Sequence, residues 1–164
     1  MIEIDLAHRC LILGLIRASK PTSLLELGYG TGRTNDAIRE GMRMNQMGTL
    51  TVVDNFYDGQ VFDTPGLVVS SEEDFINTTQ NKFDFIVSDA DHFNSHKWAE
   101  KTVSLLTPHG IAVFHDVTCP AFPNLRAILD VFPSGVLFNT SSVPTEECER
   151  GLFVVFNALV GGHR

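Results

Sequence analysis

Leu24-Leu25-Glu26-Leu27-Gly28-Tyr29-Gly30-Thr31-Gly32-Arg33-Thr34 is the stretch on which the reading of the whole chain turns. An apolar run carries one acid, Glu26, and then delivers glycines at every second position, Gly28, Gly30 and Gly32. Ala37-Ile38 follows a few polar residues later and opens a helical pattern. A strand that ends in small residues just before a helix leaves backbone N–H groups free to meet a ligand. Glycine lets that backbone approach closely and adopt positive φ. The turn is therefore expected to be a cofactor site. A dinucleotide fingerprint needs Gly-x-Gly-x-x-Gly, with the pyrophosphate on the helix N-terminus. Here the third glycine comes one residue early, and Arg33 stands where that fingerprint wants Gly or Ala. Glu26 would also set negative charge beside a pyrophosphate. It suits a ligand that carries a cationic amino group.

The string from Glu26 to Gly32, Glu-x-Gly-x-Gly-x-Gly, resembles motif I of the class I S-adenosylmethionine-dependent methyltransferases. The resemblance implies that Gly28, Tyr29, Gly30 and Gly32 hold the amino-acid end of S-adenosylmethionine, with Glu26 toward its amino group. It also implies the fold: α/β, a single doubly wound Rossmann-like sheet of seven strands, the last two forming an antiparallel edge hairpin. One domain is expected over residues 1–164.

Composition sets the outer limits. A formal net charge of -8, without any Lys/Arg cluster, argues against nucleic acid as partner, because phosphate contacts need such clusters. Cys10, Cys119 and Cys148 are scattered and lack Cys-x-x-Cys spacing, which fits a reducing compartment and neither a disulfide framework nor a zinc knuckle. The apolar run from Cys10 to Ile16 is too short to span a bilayer, and Glu3 and Asp5 precede it where a signal peptide would be basic. The expectation is a cytoplasmic protein with no membrane partner.

Along the chain, Leu6, Cys10, Leu13 and Ile16 at helical spacing predict a packed helix from Ile4 to Ala18, ended by Ser19-Lys20-Pro21. A strand over Ser23 to Leu27, the glycine turn, a helix to about Met47 and a strand over Thr49 to Val53 follow. Met42, Met44 and Met47 read as adaptable filler. Asp54 stands at the carboxyl end of the second strand, where an acid commonly accepts hydrogen bonds from ribose hydroxyls. Asn55 and its apolar neighbours Phe56 and Tyr57 are placed to meet the adenine. Leu67 to Val69 is a third strand that ends at Ser70-Ser71. The resemblance implies an adenine contact there, often from an Asp; this chain offers Ser70 and Ser71. Ser71-x-x-Asp74 also reads as the cap of a helix to about Thr79.

Lys82 to Ser88 is a strongly apolar fourth strand that delivers Asp89-Ala90-Asp91-His92-Phe93. A helix from about Asn94 to Leu106 follows, broken by Pro108-His109-Gly110. A fifth strand, Ile111 to Phe114, ends in His115-Asp116. Asn124 to Phe132 is helical after Pro123. Gly135 to Asn139 and Leu152 to Leu159 are strands with no helical pattern between them, hence the edge hairpin.

Ligands in open α/β sheets sit at the carboxyl ends of strands, so Asp89, Asp91, His92, His115 and Asp116 converge on the reaction zone. Asp-Ala-Asp-His and Phe-His-Asp-Val look like the corresponding strings of small metal-dependent O-methyltransferases. That resemblance implies a divalent cation such as Mg on Asp89 and Asp116, with Asp89 also facing the cofactor. His115 departs from the commoner acidic pair and is a poor magnesium ligand. Three roles stay open at this point: metal binding by Asp89 and Asp116, general-base use of His92 or His115, and purely structural hydrogen bonding. Asp89, His92 and His115 are the candidates for chemistry. His8, His96, His109 and His163 lack such a context and read as surface residues. Phe93, Phe122 and Phe56 could seat a flat or lipidic acceptor.

The expected activity is methyl transfer from S-adenosylmethionine to a small-molecule acceptor, an O-methylation. The rival readings are a catalytically silent S-adenosylmethionine-binding module and, disfavoured by glycine spacing and the lack of a Tyr-x-x-x-Lys pair, an NAD-dependent oxidoreductase. Little sequence is left for substrate-binding insertions, so the site is either open or completed by a second subunit of a homodimer.

Overall fold

The structure, a computed structural model, describes residues 6–56, 63–139 and 150–157. Tyr57, the acidic run from Glu146 to Glu149, Cys148, His163 and the last residues of the expected seventh strand lie outside them. The strands are β1 (Ser23–Leu27), β2 (Thr49–Asp54), β3 (Leu67–Val69), β4 (Phe83–Ser88), β5 (Leu106–Phe114), β6 (Val136–Asn139) and β7 (Gly151–Phe156). They form one sheet in the order β3-β2-β1-β4-β5-β7-β6. The five strands from β3 to β5 are parallel, while β7 runs antiparallel to both β5 and β6. The α/β sheet with its antiparallel edge is thus the one expected from the sequence.

Alternation along the strands feeds two cores, one per face, with Phe83 the exception ahead of the β4–β5 register shift. In β1, Leu25 and Leu27 join one cluster with Ile86, Phe114, Val103 and Ile128, while Leu24 joins the other with Ile12, Ile38, Phe85 and Val113. The second layer is covered by α1 (Leu6–Ser19) and α2 (Arg33–Asn45), whose Ile16 and Ile38 are each at most 1% exposed. The first layer carries α3 (Glu72–Thr78), α4 (Ala99–Ser104) and α5 (Ala127–Val131). Each such side chain contributes about 1.5–3 kcal/mol of burial.

Three local expectations need correction. The buried face of α1 is His8-Ile12-Ile16, at i, i+4 and i+8; Leu6 and Cys10 are exposed. The helix expected from Asn94 to Leu106 is a short 3-10 turn (Ser95–Lys97) followed by α4. Ser95 Oγ is engaged by Asp91 O, and Trp98, at φ -120, separates the two pieces. Finally, β5 starts at Leu106 and runs through Pro108. Its pairing jumps from Phe83–Leu106 to Phe85–Ile111, so the Pro108-His109-Gly110 break is a bulge inside the strand.

Candidate functional site

The five parallel strands deliver their carboxyl ends to one rim, and a cavity of about 660 Å³ opens there. Its walls are residues 28–31, 33–34, 53–55, 70–73 and 89–93, with Trp98. Of the sequence-derived cofactor candidates, Gly28, Tyr29, Gly30, Asp54, Asn55, Ser70, Ser71 and Asp89 line it. Gly32 is buried behind the loop and Glu26 lies beneath it, fully buried; neither lines the cavity. Phe56 is likewise buried and off the cavity wall.

The glycine loop is held open by backbone conformation. Gly28, Gly30 and Gly32 have φ of 89, 52 and 80. At Gly28 the demand is twofold, because a Cβ would also fall 2.4 Å from the Asp89 carbonyl oxygen. That contact locks the β1 turn against the β4 turn, and Gly28 N–H donating to Val53 O at 2.8 Å extends the ladder to β2. Asp54 then reaches back across the loop. Its Oδ2 accepts from Tyr29 N–H at 2.7 Å and Gly30 N–H at 3.3 Å, and Oδ1 accepts from Phe56 N–H at 2.6 Å. The loop amides are thus matched to a carboxylate.

Beneath the loop, Asn35 Nδ2 donates to Glu26 Oε2 at 2.5 Å, and Arg39 Nε donates to Asn35 Oδ1 at 2.7 Å. Burial pushes the Glu26 pKa up to about 8, against the lowering effect of the Asn35 bond. Glu26 is therefore largely a neutral acid at pH 7 that ties β1 to α2. Ser71 caps α3 as expected: Asp74 N–H donates to Ser71 Oγ at 3.1 Å and Ser71 Oγ–H donates to Asp74 Oδ2 at 2.7 Å. A residue that sequence reading passed over follows it. Glu72 is 6% exposed on the cavity wall and accepts from Ser88 Oγ, Ser95 Oγ and Asp91 N–H. Burial raises its pKa against those bonds. Asp91, expected among the reactive groups, spends its carboxylate on its own turn, accepting from Phe93 N–H, Asn94 N–H and Asn94 Nδ2.

The ends of β4 and β5 do converge. His92 Nε2 lies 3.3 Å from Asp89 Oδ1 and 3.2 Å from Asp116 Oδ2, between the two acids. His115 Nδ1 lies 3.1 Å from Asp89 Oδ1 and 3.3 Å from Asp116 Oδ1. Asp116 takes φ 60, a left-handed conformation that Asp tolerates better than most residues. Arg150 Nε, arriving at the start of β7, is 3.8 Å from Asp116 Oδ1. Although burial opposes it, pairing with Asp116 and Asp89 raises the His92 pKa to about 10. His115 is raised and Asp89 lowered by the same mutual attraction, again against burial. Two carboxylates thus face two imidazoles and a guanidinium. His92 with its proton retained donates to both carboxylates.

One ligand atom each from Asp89, His92 and Asp116 lies within 4.8 Å of the others. Separations of 3.2 and 3.3 Å are those of neighbouring ligands on an ion held at about 2.0–2.2 Å. The residues present therefore fit a divalent cation, and the imidazole shifts the preference from Mg toward Mn, Fe or Zn. His92 was missing from the expected metal pair. Its ring also packs on Phe122, centroids 4.5 Å apart, and Phe93 meets Phe122 edge-on at 5.6 Å.

The largest surprise comes from α1. His8, read as a surface residue, is fully buried, with Nδ1 3.1 Å from His115 Nε2. Its i, i+4, i+8 relation to Ile12 and Ile16 was the available signal. Of the other histidines read as surface residues, His109 is exposed, and His96 is only half-buried, its Nδ1 enclosed.

The sheet order, with β7 antiparallel between β5 and β6, defines the class I methyltransferase fold and departs from the six-stranded parallel dinucleotide fold. No protein-family model and no curated protein matches the sequence. Solved structures do resemble it. The O-methyltransferase TomG from Streptomyces achromogenes, in complex with SAM, is similar at a TM-score of 0.72 and 13% identity, over 94% of this chain and 81% of that one. An O-methyltransferase from Bacillus cereus in complex with SAH aligns at 0.69 and 15% identity, over 94% and 82%. The N-methyltransferase NodS from Bradyrhizobium japonicum aligns at 0.68 and 17%, over 92% and 94%. At these identities the likeness is one of fold. Among the described residues, no helix is long and apolar enough to cross a membrane.

Proposed function

We propose that this chain is an S-adenosylmethionine-dependent methyltransferase that methylates a hydroxyl oxygen of a small-molecule acceptor, as one cytoplasmic domain over residues 1–164. The observation that carries the reading is the cavity itself. It lies at the carboxyl rim of a methyltransferase-type sheet, under a glycine loop whose amides are already matched to a carboxylate. Its volume of about 660 Å³ falls in the range of small-molecule sites.

The chain's own groups divide the work. Gly28, Tyr29 and Gly30, with Gly32 shaping the turn, hold the amino-acid end of the donor. Asp54 exchanges its amide contacts for ribose hydroxyls, and Asn55, Ser70 and Ser71 meet the adenine side. Glu26 acts from below, through Asn35 and the loop, rather than by direct contact. The donor supplies a methyl group on a sulfonium, and the enzyme's task is alignment for in-line displacement. Asp89 and His92 line the acceptor side of the cavity, and buried His115 holds Asp89 from beneath. The acceptor hydroxyl donates a hydrogen bond to the Asp89 carboxylate, which aims the oxygen lone pair at the methyl group, and the proton released on transfer leaves to solvent. A divalent cation at this place would be held by Asp89, Asp116 and a His92 that has given up its Nε2 proton, and it would lower the pKa of the acceptor hydroxyl.

Calorimetric titration with S-adenosylhomocysteine tests the reading, with and without Mn and Mg salts. Binding is expected for wild type and at least about tenfold weaker for Asp54→Ala, the loss of two hydrogen bonds to the ribose. No heat with S-adenosylhomocysteine, but binding of NAD, would overturn it.

A further inference from the structure

His8 belongs to no role assigned so far. It comes from the first helix, 107 residues before its partner, yet it is fully buried and meets His115 Nε2 at 3.1 Å. The two rings stand edge to face, centroids 5.2 Å apart and planes at 85°. The far nitrogen of His115 faces Asp89 Oδ1 and Asp116 Oδ1, both acceptors, so Nδ1 carries a proton. A histidine with only one of its nitrogens fixed can swing about its Cβ–Cγ bond. With both fixed it is held, in one tautomeric order, as a ring between two anchors. The same logic makes the outer partners of metal-bound histidines matter.

We propose that His8 is a positioning residue. Its Nδ1 clamps the His115 ring so that His115 Nδ1–H stays on Asp89, which fixes the Asp89 carboxylate at the cavity. The face of α1 explains how. Ile12 and Ile16 seat the helix on the sheet, and one turn further toward the strands' carboxyl ends the same stripe presents a polar ring in place of an aliphatic one. An aliphatic side chain would satisfy the packing at position 8; it would leave His115 Nε2 buried without this partner. The first helix is thereby part of the site and not only its cover. The proposal rests on the methyltransferase reading for its meaning, but not for its test.

Long-range proton–nitrogen correlation spectra of the full-length, nitrogen-labelled protein read the ring directly, with His115 assigned from its absence in His115→Gln. Wild type is expected to show a protected His115 Nδ1–H and a scalar coupling between His8 Nδ1 and His115 Nε2. In His8→Leu that proton should exchange about fivefold faster or more, the loss of one net hydrogen bond. His8→Asn, which keeps a polar atom near the Nδ1 position, should restore most of the protection. Unchanged protection in a folded His8→Leu would overturn the proposal. If His8→Leu does not fold, absence of the coupling in wild type overturns it equally. S-adenosylhomocysteine binding is followed in the same samples as a separate readout; its absence in wild type would count against the methyltransferase reading and not against the clamp.

Discussion

Two single residues carry the strictest local demands. Gly28 combines φ 89 with a Cβ position 2.4 Å from a backbone oxygen, whereas Gly30 at φ 52 has open space around it. Gly28→Ala should therefore cost more than about 2 kcal/mol in urea unfolding, and Gly30→Ala about 1 kcal/mol from conformation alone. Equal costs would contradict the β1–β4 lock. Glu26 makes a different claim. Its folded pKa of about 8, against an ordinary 4.5, means that the folded chain keeps a proton the unfolded chain has released. Stability from this group is thus fully present below pH 4.5 and falls as pH rises toward 8, by at most about 1.4 kcal/mol per pH unit. Glu26→Gln removes that slope while keeping an acceptor for Asn35. The difference in thermal midpoint between variant and wild type should widen in the variant's favour from pH 5 to pH 8; a constant difference would mean that Glu26 is ionised throughout. The glycines and the acid were legible because their spacing is unusual in any other setting. The ionisation of Glu26 was not, since no motif records that Asn35 and Arg39 would close over it.

Elements were legible where their period was clean. β1, β2 and β4 are apolar runs bounded by turn residues, and they fall within a residue of expectation. α1 was not clean. Its sequence is apolar on several sides, and counting His8 as polar rotated the expected stripe onto Leu6 and Cys10. Unfolding measurements separate the two faces. Ile12→Ala should cost about 2–5 kcal/mol and Leu6→Ala less than about 0.5 kcal/mol; the reverse order would restore the sequence-based face. The helix after β4 failed for another reason. Ser95 and Asp91 turn inward to satisfy one another and Glu72, so side-chain hydrogen bonds, invisible to periodicity, override helical continuation.

At the scale of the molecule, the parallel core of the sheet makes the cavity inevitable, because every βα turn on that side ends at the same rim. The antiparallel β7 does the rest by returning Arg150 to Asp116, next to the β4 and β5 ends. That the β4 and β5 carboxylates would meet was legible from topology. That a buried cluster of imidazoles would balance them was not, because it depends on His8 arriving from a helix the sequence reading assigned only to packing. Amide hydrogen exchange with and without S-adenosylhomocysteine tests the whole account most directly. Slowed exchange is expected in residues 28–34, 54–56, 70–73 and 89–93, and no slowing in β6. Protection confined to other segments, or no protection at saturating ligand, would contradict it.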